Sequence, residues 1–330
     1  MNPPRPAPAA DLTQAVQTSL FRFMQEFEAL RPELYRYCRY LTHSPWDAED
    51  LVQDALGRAF VTLGRMAAPP PNPRAWLFRV ASNLWIDQKR RGRETGDGAL
   101  ESAVGHEPRD QREAAGTLIA KLAPRERVAV ILKDVFDLGL DEIAEALGTT
   151  TGTVKTTLHR GRGKLADPEP AAPHDGIAVP AVLDAFCAAF NAQDLGRLTA
   201  LLLDTASVEV VGTHTDYGPE DASRHAFFGM LYGAPRLADA TGVEPRFVQG
   251  ALATSPRCEV RIHRGEPVLL LWYAHVDGEA VRALNRVEID DDRIVSLKNY
   301  FYTPEAIAEL CQELGVPFRV NGYRHCLSPR

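Results

Sequence analysis

Residues 139–165, GLDEIAEALGTTTGTVKTTLHRGRGKL, constrain the fold of this chain more than any other stretch. Ile143, Ala144 and Leu147 fall on one helical face, and Gly148 follows as a natural helix stop. Thr150 or Thr151 can cap a second helix, with Val154, Leu158 and Leu165 turned inward. Lys155, His159, Arg160, Arg162 and Lys164 then lie on or near its other side. Two short helices joined by a glycine turn, the second basic and free of acid, form the helix-turn-helix pattern. An ordinary core with a solvated basic face would not require caps, turn glycine and one-signed charge to coincide.

The chain's net charge of −7 looks wrong for contact with phosphate until it is divided. Residues 1–92 hold 12 Lys/Arg against 9 Asp/Glu, residues 93–176 hold 11 against 15, and residues 177–330 hold 14 against 20. Residues 150–165 carry four basic residues and no acidic one. Local charge decides contact with nucleic acid, so the basic helix keeps its candidacy. A length of 330 residues allows two or three domains. No apolar run approaches a membrane span, and the Pro/Ala-rich N-terminus lacks a signal-peptide core, so the expected location is the cytoplasm. Cys38, Cys187, Cys258, Cys311 and Cys326 are scattered without any C-x-x-C and read as reduced, mostly structural thiols. No metal site or cofactor is expected.

Residues 1–30 run from a Pro/Ala tail into an amphipathic lead-in helix. Residues 31–92 are helical throughout, striped by Leu34, Tyr37, Cys38 and Leu41, then by Ala48, Leu51, Val52, Ala55, Ala59, Phe60 and Leu63. After a proline-rich break at 67–73, a third helix carries Leu77, Val80, Ala81 and Leu84. Residues 93–112 read as a flexible linker, 113–166 as the helix-turn-helix domain with Pro124 at an N1 position, and 167–178 as a second linker. Beyond residue 179 one helix carries Val182, Leu183, Phe186 and Phe190, and another carries Leu198, Leu201 and Leu202. Alternating strands follow: Cys258, Val260 and Ile262 against Glu259, Arg261 and His263; then 268–276; then Val281, Ala283, Asn285, Val287 and Ile289; then 294–301. A helix with Ile307 and Leu310 stops near Gly315, placing an α+β domain at 179–318 and a tail at 319–330.

The groups Asp47-Ala48-Glu49-Asp50-Leu51-Val52-Gln53 and Asn72-Pro73-Arg74-Ala75-Trp76-Leu77, the latter ahead of Asn83 and Asp87, stand before the helix-turn-helix in a fixed order. Together they resemble an extracytoplasmic-function sigma factor, the first two matching conserved region 2 and the third region 4. The last half resembles a SnoaL-like domain, a cone-shaped α+β fold that some such factors carry as an extension; Tyr302-Thr303-Pro304-Glu305 and Asn321-Gly322-Tyr323-Arg324 fit it less specifically. The resemblance implies two all-α sigma domains, a region 2 helical bundle and a region 4 helix-turn-helix, followed by this cone.

It also implies partners and surfaces. Asp47, Glu49, Asp50, Gln53 and Asp54 would dock on the β′ clamp helices of core RNA polymerase, with the β flap as a second contact. Arg79, Asn83, Asp87 and Arg90 recur at helical spacing, with Lys89 and Arg91 nearby, and would face the −10 promoter element. The loop 65–72 lies where the family receives a base displaced from that strand. Thr151, Thr153, Lys155, Thr156, His159 and Arg160 would read the −35 element, while Thr157 stands where members often have arginine. Trp76 reads more simply as a core aromatic.

In the last domain, His214, Asp216, Trp272, Tyr273 and His275 are candidates for a pocket. A converging His–Asp pair could shuttle a proton, but isolated pairs near strand ends more often hold structure, and fold resemblance does not transfer activity. The expected function is therefore promoter-specific initiation with no catalytic residue, and a tethered acidic domain that regulates it, through a small-molecule or protein signal. The alternatives are a bifunctional SnoaL-type enzyme and a helix-turn-helix regulator that acts without polymerase.

Overall fold

The computed structural model describes residues 8–95, 122–165, 179–241, 251–252 and 254–323. Both expected linkers lie almost wholly outside the described residues, as do residues 113–121 and Cys326. The chain divides into two compact units, Met1–His174 and Asp175–Arg330.

The described residues of the first unit form helices and the turns between them. Helix α1 (Pro8–Phe27) leads through a 3-10 turn (Glu28–Leu30) into α2 (Arg31–Thr42), α3 (Pro45–Leu63) and α4 (Pro73–Thr95). His43 ends α2 in the left-handed region (φ 60°), and Ser44 then caps α3 by accepting from the Asp47 amide, with Pro45 at the first helical position. Most of the expected stripe residues form the core: Leu34, Tyr37, Cys38 and Leu41 meet Leu51, Val52, Ala55 and Ala59 in the buried set, with Leu77 and Ala81 of α4. Phe60, Leu63, Val80 and Leu84 are only half-buried, and Phe78 and Trp85 complete the α4 face instead. Tyr37 stacks on Phe78 at 4.6 Å between ring centroids, and its hydroxyl lies 2.6 Å from Ser82 Oγ. Trp76 is half-buried, with its ring 6.1 Å from that of Phe27.

Helix α5 (Pro124–Val130) passes into a π-helical turn (Ile131–Val135), then come α6 (Leu140–Leu147) and α7 (Thr151–Lys164). The π turn inserts one extra residue, closed by the Phe136 amide on Ile131 O at 3.2 Å, and so re-aims Phe136. That ring packs edge-on against Tyr37 at 5.5 Å and Phe78 at 5.1 Å. Arg127 donates to Leu41 O at 2.9 Å and lies over the Trp85 ring at 5.0 Å. The helix-turn-helix therefore rests on the first bundle through a buried aromatic and a buried guanidinium.

The second unit is α+β. Helices α8 (Ala181–Asn191) and α9 (Leu195–Ala200) precede β1 (Leu202–Val210), β2 (His214–Tyr217), α10 (Gly218–Arg224), α11 (Ala226–Thr241), β3 (Arg257–His263), β4 (Glu266–His275), β5 (Gly278–Asp290), β6 (Arg293–Tyr300) and α12 (Pro304–Leu314). The six strands lie in the order β2-β1-β6-β5-β4-β3, antiparallel except for the parallel β1–β6 pair. Leu202, expected on a helix with Leu198, instead opens β1. One sheet face, carrying Val208, Leu269, Leu271, Ala283 and Leu297, shares a core with Phe186, Phe190, Phe227 and Leu231 of the helices. On the other face α12 buries Ile307 and Leu310.

Two expectations shift at the ends of strands. Ile262, expected inward, is 40% exposed, whereas His263 is buried and lies 2.6 Å from Glu313 Oε2 of α12. Burial alone would raise the Glu313 carboxyl, but hydrogen bonds from His263 and Arg264 outweigh it and hold it down to about 2. Residues 319–323, expected as tail, belong to the domain. Val281 donates to Pro317 O and accepts from the Arg319 amide, each at 2.9 Å. Buried Asn321 donates to Arg282 O and Phe301 O, each at 2.8 Å, and accepts from Arg282 Nε at 3.0 Å.

Candidate nucleic-acid interface

Local rules fix the helix-turn-helix. Glu142 reaches back to the Gly139 amide at 2.8 Å, closing the start of α6. Gly148 takes φ 59°, ψ 44°, a conformation that favours glycine and lets the chain reverse. Thr150 Oγ1 accepts from the Thr153 amide at 3.3 Å and caps α7. Val154 and Leu158 are buried, and Gly161 allows a close approach: a Cβ there would stand 2.9 Å from Val130 Cγ2. The inner face is thus seated on α5.

The outer face of α7 separates into two groups. Arg162 forms a two-pronged pair with Asp134, and Lys164 Nζ lies 2.7 Å from Glu126, so both tie the helix's last turn to its own domain. Thr153, Lys155, Thr156, His159 and Arg160 are exposed, and Thr151 is half-exposed. The first turn has no acidic residue, so the positive end of the helix dipole adds to the basic side chains. A surface of this kind positions phosphates and can hydrogen-bond base edges.

Helix α4 presents Asn83, Asp87, Arg90 and Arg91 to solvent, with Lys89 half-buried over the Trp85 ring at 5.9 Å. Arg90 and Asp87 pair at 3.3 Å. Nearer its start, the same helix is partly covered by α6. Asn72, which caps α4 by accepting from the Ala75 amide, donates to Glu142 Oε1 at 2.9 Å. Arg79 lies 3.3 Å from Glu145. Arg74 donates to both oxygens of Glu33 at 2.8 and 2.7 Å, which draws the Glu33 carboxyl below its usual value, and to Phe136 O at 3.3 Å.

On α3, Asp47 and Asp54 are exposed, and Asp50 and Gln53 half-exposed. Glu49 does not share that surface. It is fully buried, ion-paired with buried Arg31 and accepting from Gln53 Nε2 at 2.6 Å. A carboxylate so placed is held by the fold and is removed from the acidic docking set.

Of the five pocket candidates, His214 and Asp216 meet on β2, while Trp272, Tyr273 and His275 share β4. Asp216 is buried on β2, accepting from the Ala226 amide at 3.0 Å, with His225 Nδ1 at 3.1 Å and His214 Nε2 at 3.6 Å. Tyr273 belongs to the core on the helix-covered face of β4, and strand alternation puts buried His275 on the same side. Trp272 is on the opposite face, under the Arg257 guanidinium at 5.0 Å. Three strands, β1, β6 and β5, separate β2 from β4 in the sheet order. His225 was not among the candidates, and neither were Asn285 and Asn299, a buried pair joined at 2.6 Å. Their signal in the sequence is a polar residue, Asn285, at an inward position of an otherwise apolar stripe. Among the described residues no helix is long and apolar enough to cross a membrane.

Residues 26–95 match the family model described as Sigma-70 region 2, and residues 112–165 that described as Sigma-70, region 4. The ECF RNA polymerase sigma factor SigJ of Mycobacterium tuberculosis is 32% identical over 296 residues, covering 76% of this chain and 90% of SigJ. The ECF RNA polymerase sigma factor SigG of the same species is 30% identical over 227 residues, covering 57% of this chain; the chain spans only 61% of SigG's length. The crystal structure of M. tuberculosis SigJ aligns over 86% of this chain and 98% of that one, at 24% identity and a TM-score of 0.33.

Proposed function

Because the chain belongs to the extracytoplasmic-function RNA polymerase sigma factors, we propose that it joins core polymerase in the cytoplasm and directs promoter-specific initiation. Asp47, Asp50, Gln53 and Asp54 dock on the β′ clamp helices, and the helix-turn-helix domain reaches the β flap. Arg79, Asn83, Asp87, Lys89, Arg90 and Arg91 serve the −10 element; Thr151, Thr153, Lys155, Thr156, His159 and Arg160 serve the −35 element. The observation that carries this reading is the division of α7: its inner face and last turn are bound to the domain, while Lys155, Thr156, His159 and Arg160 stay exposed.

The second unit is the regulator. Its excess of acid is tethered to basic DNA-reading helices, which gives it a high effective concentration near them. The test is run-off transcription by core polymerase supplied with the full chain or with a chain ended after His174, on a library of genomic promoters. Specific initiation by the full chain, changed in strength by removal of the second unit, is the expected result. Binding to promoter DNA without binding to core would turn the reading toward a regulator independent of polymerase. Equal initiation by both chains would reject the regulatory role.

A further inference from the structure

Cys187 on α8 and Cys258 on β3, 71 residues apart in sequence, meet in the second unit with their Sγ atoms 3.5 Å apart. The meeting is fixed by backbone. Asn191, one turn beyond Cys187, donates through Nδ2 to Cys258 O at 3.0 Å and accepts from the Cys258 amide at 2.7 Å. That two-way bond fastens α8 to an edge strand of the sheet, with the two sulfurs beside it. Closing a disulfide from here requires an approach of about 1.5 Å. Cys258 is buried, and Cys187 remains partly open to solvent.

We propose that Cys187 and Cys258 are a reversible dithiol–disulfide site that takes hydroperoxides as its oxidant. The Cys187 thiolate attacks one peroxide oxygen, the O–O bond breaks, and the released alkoxide or hydroxide is protonated; Cys187 is then a sulfenic acid. Cys258 sulfur attacks the Cys187 sulfur, the S–O bond breaks, and water leaves with the Cys258 proton. Two thiols have lost two electrons and two protons, and the peroxide has been reduced to water and an alcohol, or to two waters.

The two sulfurs suit these different roles. A hydrogen bond from Cys258 lowers the Cys187 thiol below its usual value, outweighing burial and the nearby Asp184 and Glu259 charges. Burial lifts Cys258 well above the usual range, as expected for the thiol that resolves and does not attack first. Elsewhere burial alone pushes Cys311 up to about 12, and Cys38 is buried and also raised. Both are buried as well, so neither has the exposed, lowered thiol of a first attacker.

The test uses the full chain and hydrogen peroxide. Remaining thiols are alkylated, the intact mass is measured and the peptides are mapped. The expected result is a chain that has lost two hydrogens and takes up two fewer alkyl groups than the reduced chain, a linked peptide pair joining Cys187 to Cys258, and recovery with dithiothreitol. Cys258→Ser stops at a sulfenic acid on Cys187 that dimedone traps, whereas Cys187→Ser forms neither link nor adduct; circular dichroism verifies that both variants fold. Oxygen addition at Cys187 without a link in the unaltered chain would overturn the proposal. So would a link that pairs other cysteines, or unchanged thiols under peroxide that oxidises the same chain when denatured.

Discussion

The two units use polar side chains in opposite ways. In the first, the residues proposed to meet polymerase and promoter are exposed on helix faces whose inner sides are already packed: Asp47 and Asp54 on α3, Asn83 and Arg90 on α4, Lys155 and Arg160 on α7. In the second, the polar groups that draw attention are buried and engaged with the fold. Asp216 holds the first amide of α11, Asn321 closes the C-terminal segment onto the sheet, and His263 binds Glu313. A polar group that the fold has already satisfied costs stability when removed, and one presented to solvent costs binding when removed. The difference separates a proposed recognition surface from a scaffold, and it makes Glu49, buried inside the first unit, the exception that tests it.

The largest expected effect is at that exception. Glu49→Ala leaves the buried Arg31 guanidinium without its carboxylate and should destabilise the first unit by about 3–5 kcal/mol in chemical denaturation. If the variant instead unfolds normally and only loses affinity for core polymerase, Glu49 belongs with Asp47 and Asp54 after all. Next come Lys155→Ala and Arg160→Ala, each expected to weaken binding of the polymerase complex to its promoter by about 1–3 kcal/mol. Their unfolding free energies should stay within about 0.5 kcal/mol of the parent. Stability loss without binding loss would move these residues from the recognition surface into the scaffold.

Asp216→Ala is the reverse case. It removes the acceptor for the Ala226 amide and the partner of His225, a change of cap that should lower the stability of the second unit by about 1 kcal/mol. The comparison breaks if Asp216→Asn, which keeps an acceptor and the shape, abolishes the second unit's effect on initiation while the melting curve is unchanged. That outcome would make Asp216 part of a working site.

These distinctions were unevenly legible in the sequence. Much of the helix-turn-helix could be read from sequence because its determinants are local: the left-handed Gly148 and the Thr150 cap act within three residues. The reach of Glu142 to Gly139 is equally local but was not read. The burial of Glu49 was hidden because its partner, Arg31, belongs to the preceding helix, and on a helical wheel Glu49 merely borders the apolar stripe. The arrangement of the pocket candidates was hidden for a similar reason. Alternation places Tyr273 and Trp272 on opposite faces, but which face is covered, and how far β2 lies from β4, depend on a strand order that includes the parallel β1–β6 pair. The junction of Cys187 with Cys258 is likewise a product of topology.

The smallest expected effect concerns a part of the proposed recognition surface that the unit covers itself. Glu145 of α6 pairs with Arg79, and both side chains are well exposed, 70% and 44%. Such a pair contributes at most about 1 kcal/mol and weakens with salt. Glu142 is a poorer site to alter because its other oxygen holds the Gly139 amide, so a change there would also loosen the start of α6. Glu145→Gln has no such second role among the bonds described. It should raise the affinity of the isolated full chain for single-stranded −10 DNA by up to about fivefold at low salt, and the gain should shrink as salt is added. In the polymerase complex the same variant should behave like the parent if joining core already separates α6 from α4. A gain that persists unchanged there would show that the pair survives in the complex, and that Arg79 reaches the promoter only when Glu145 releases it.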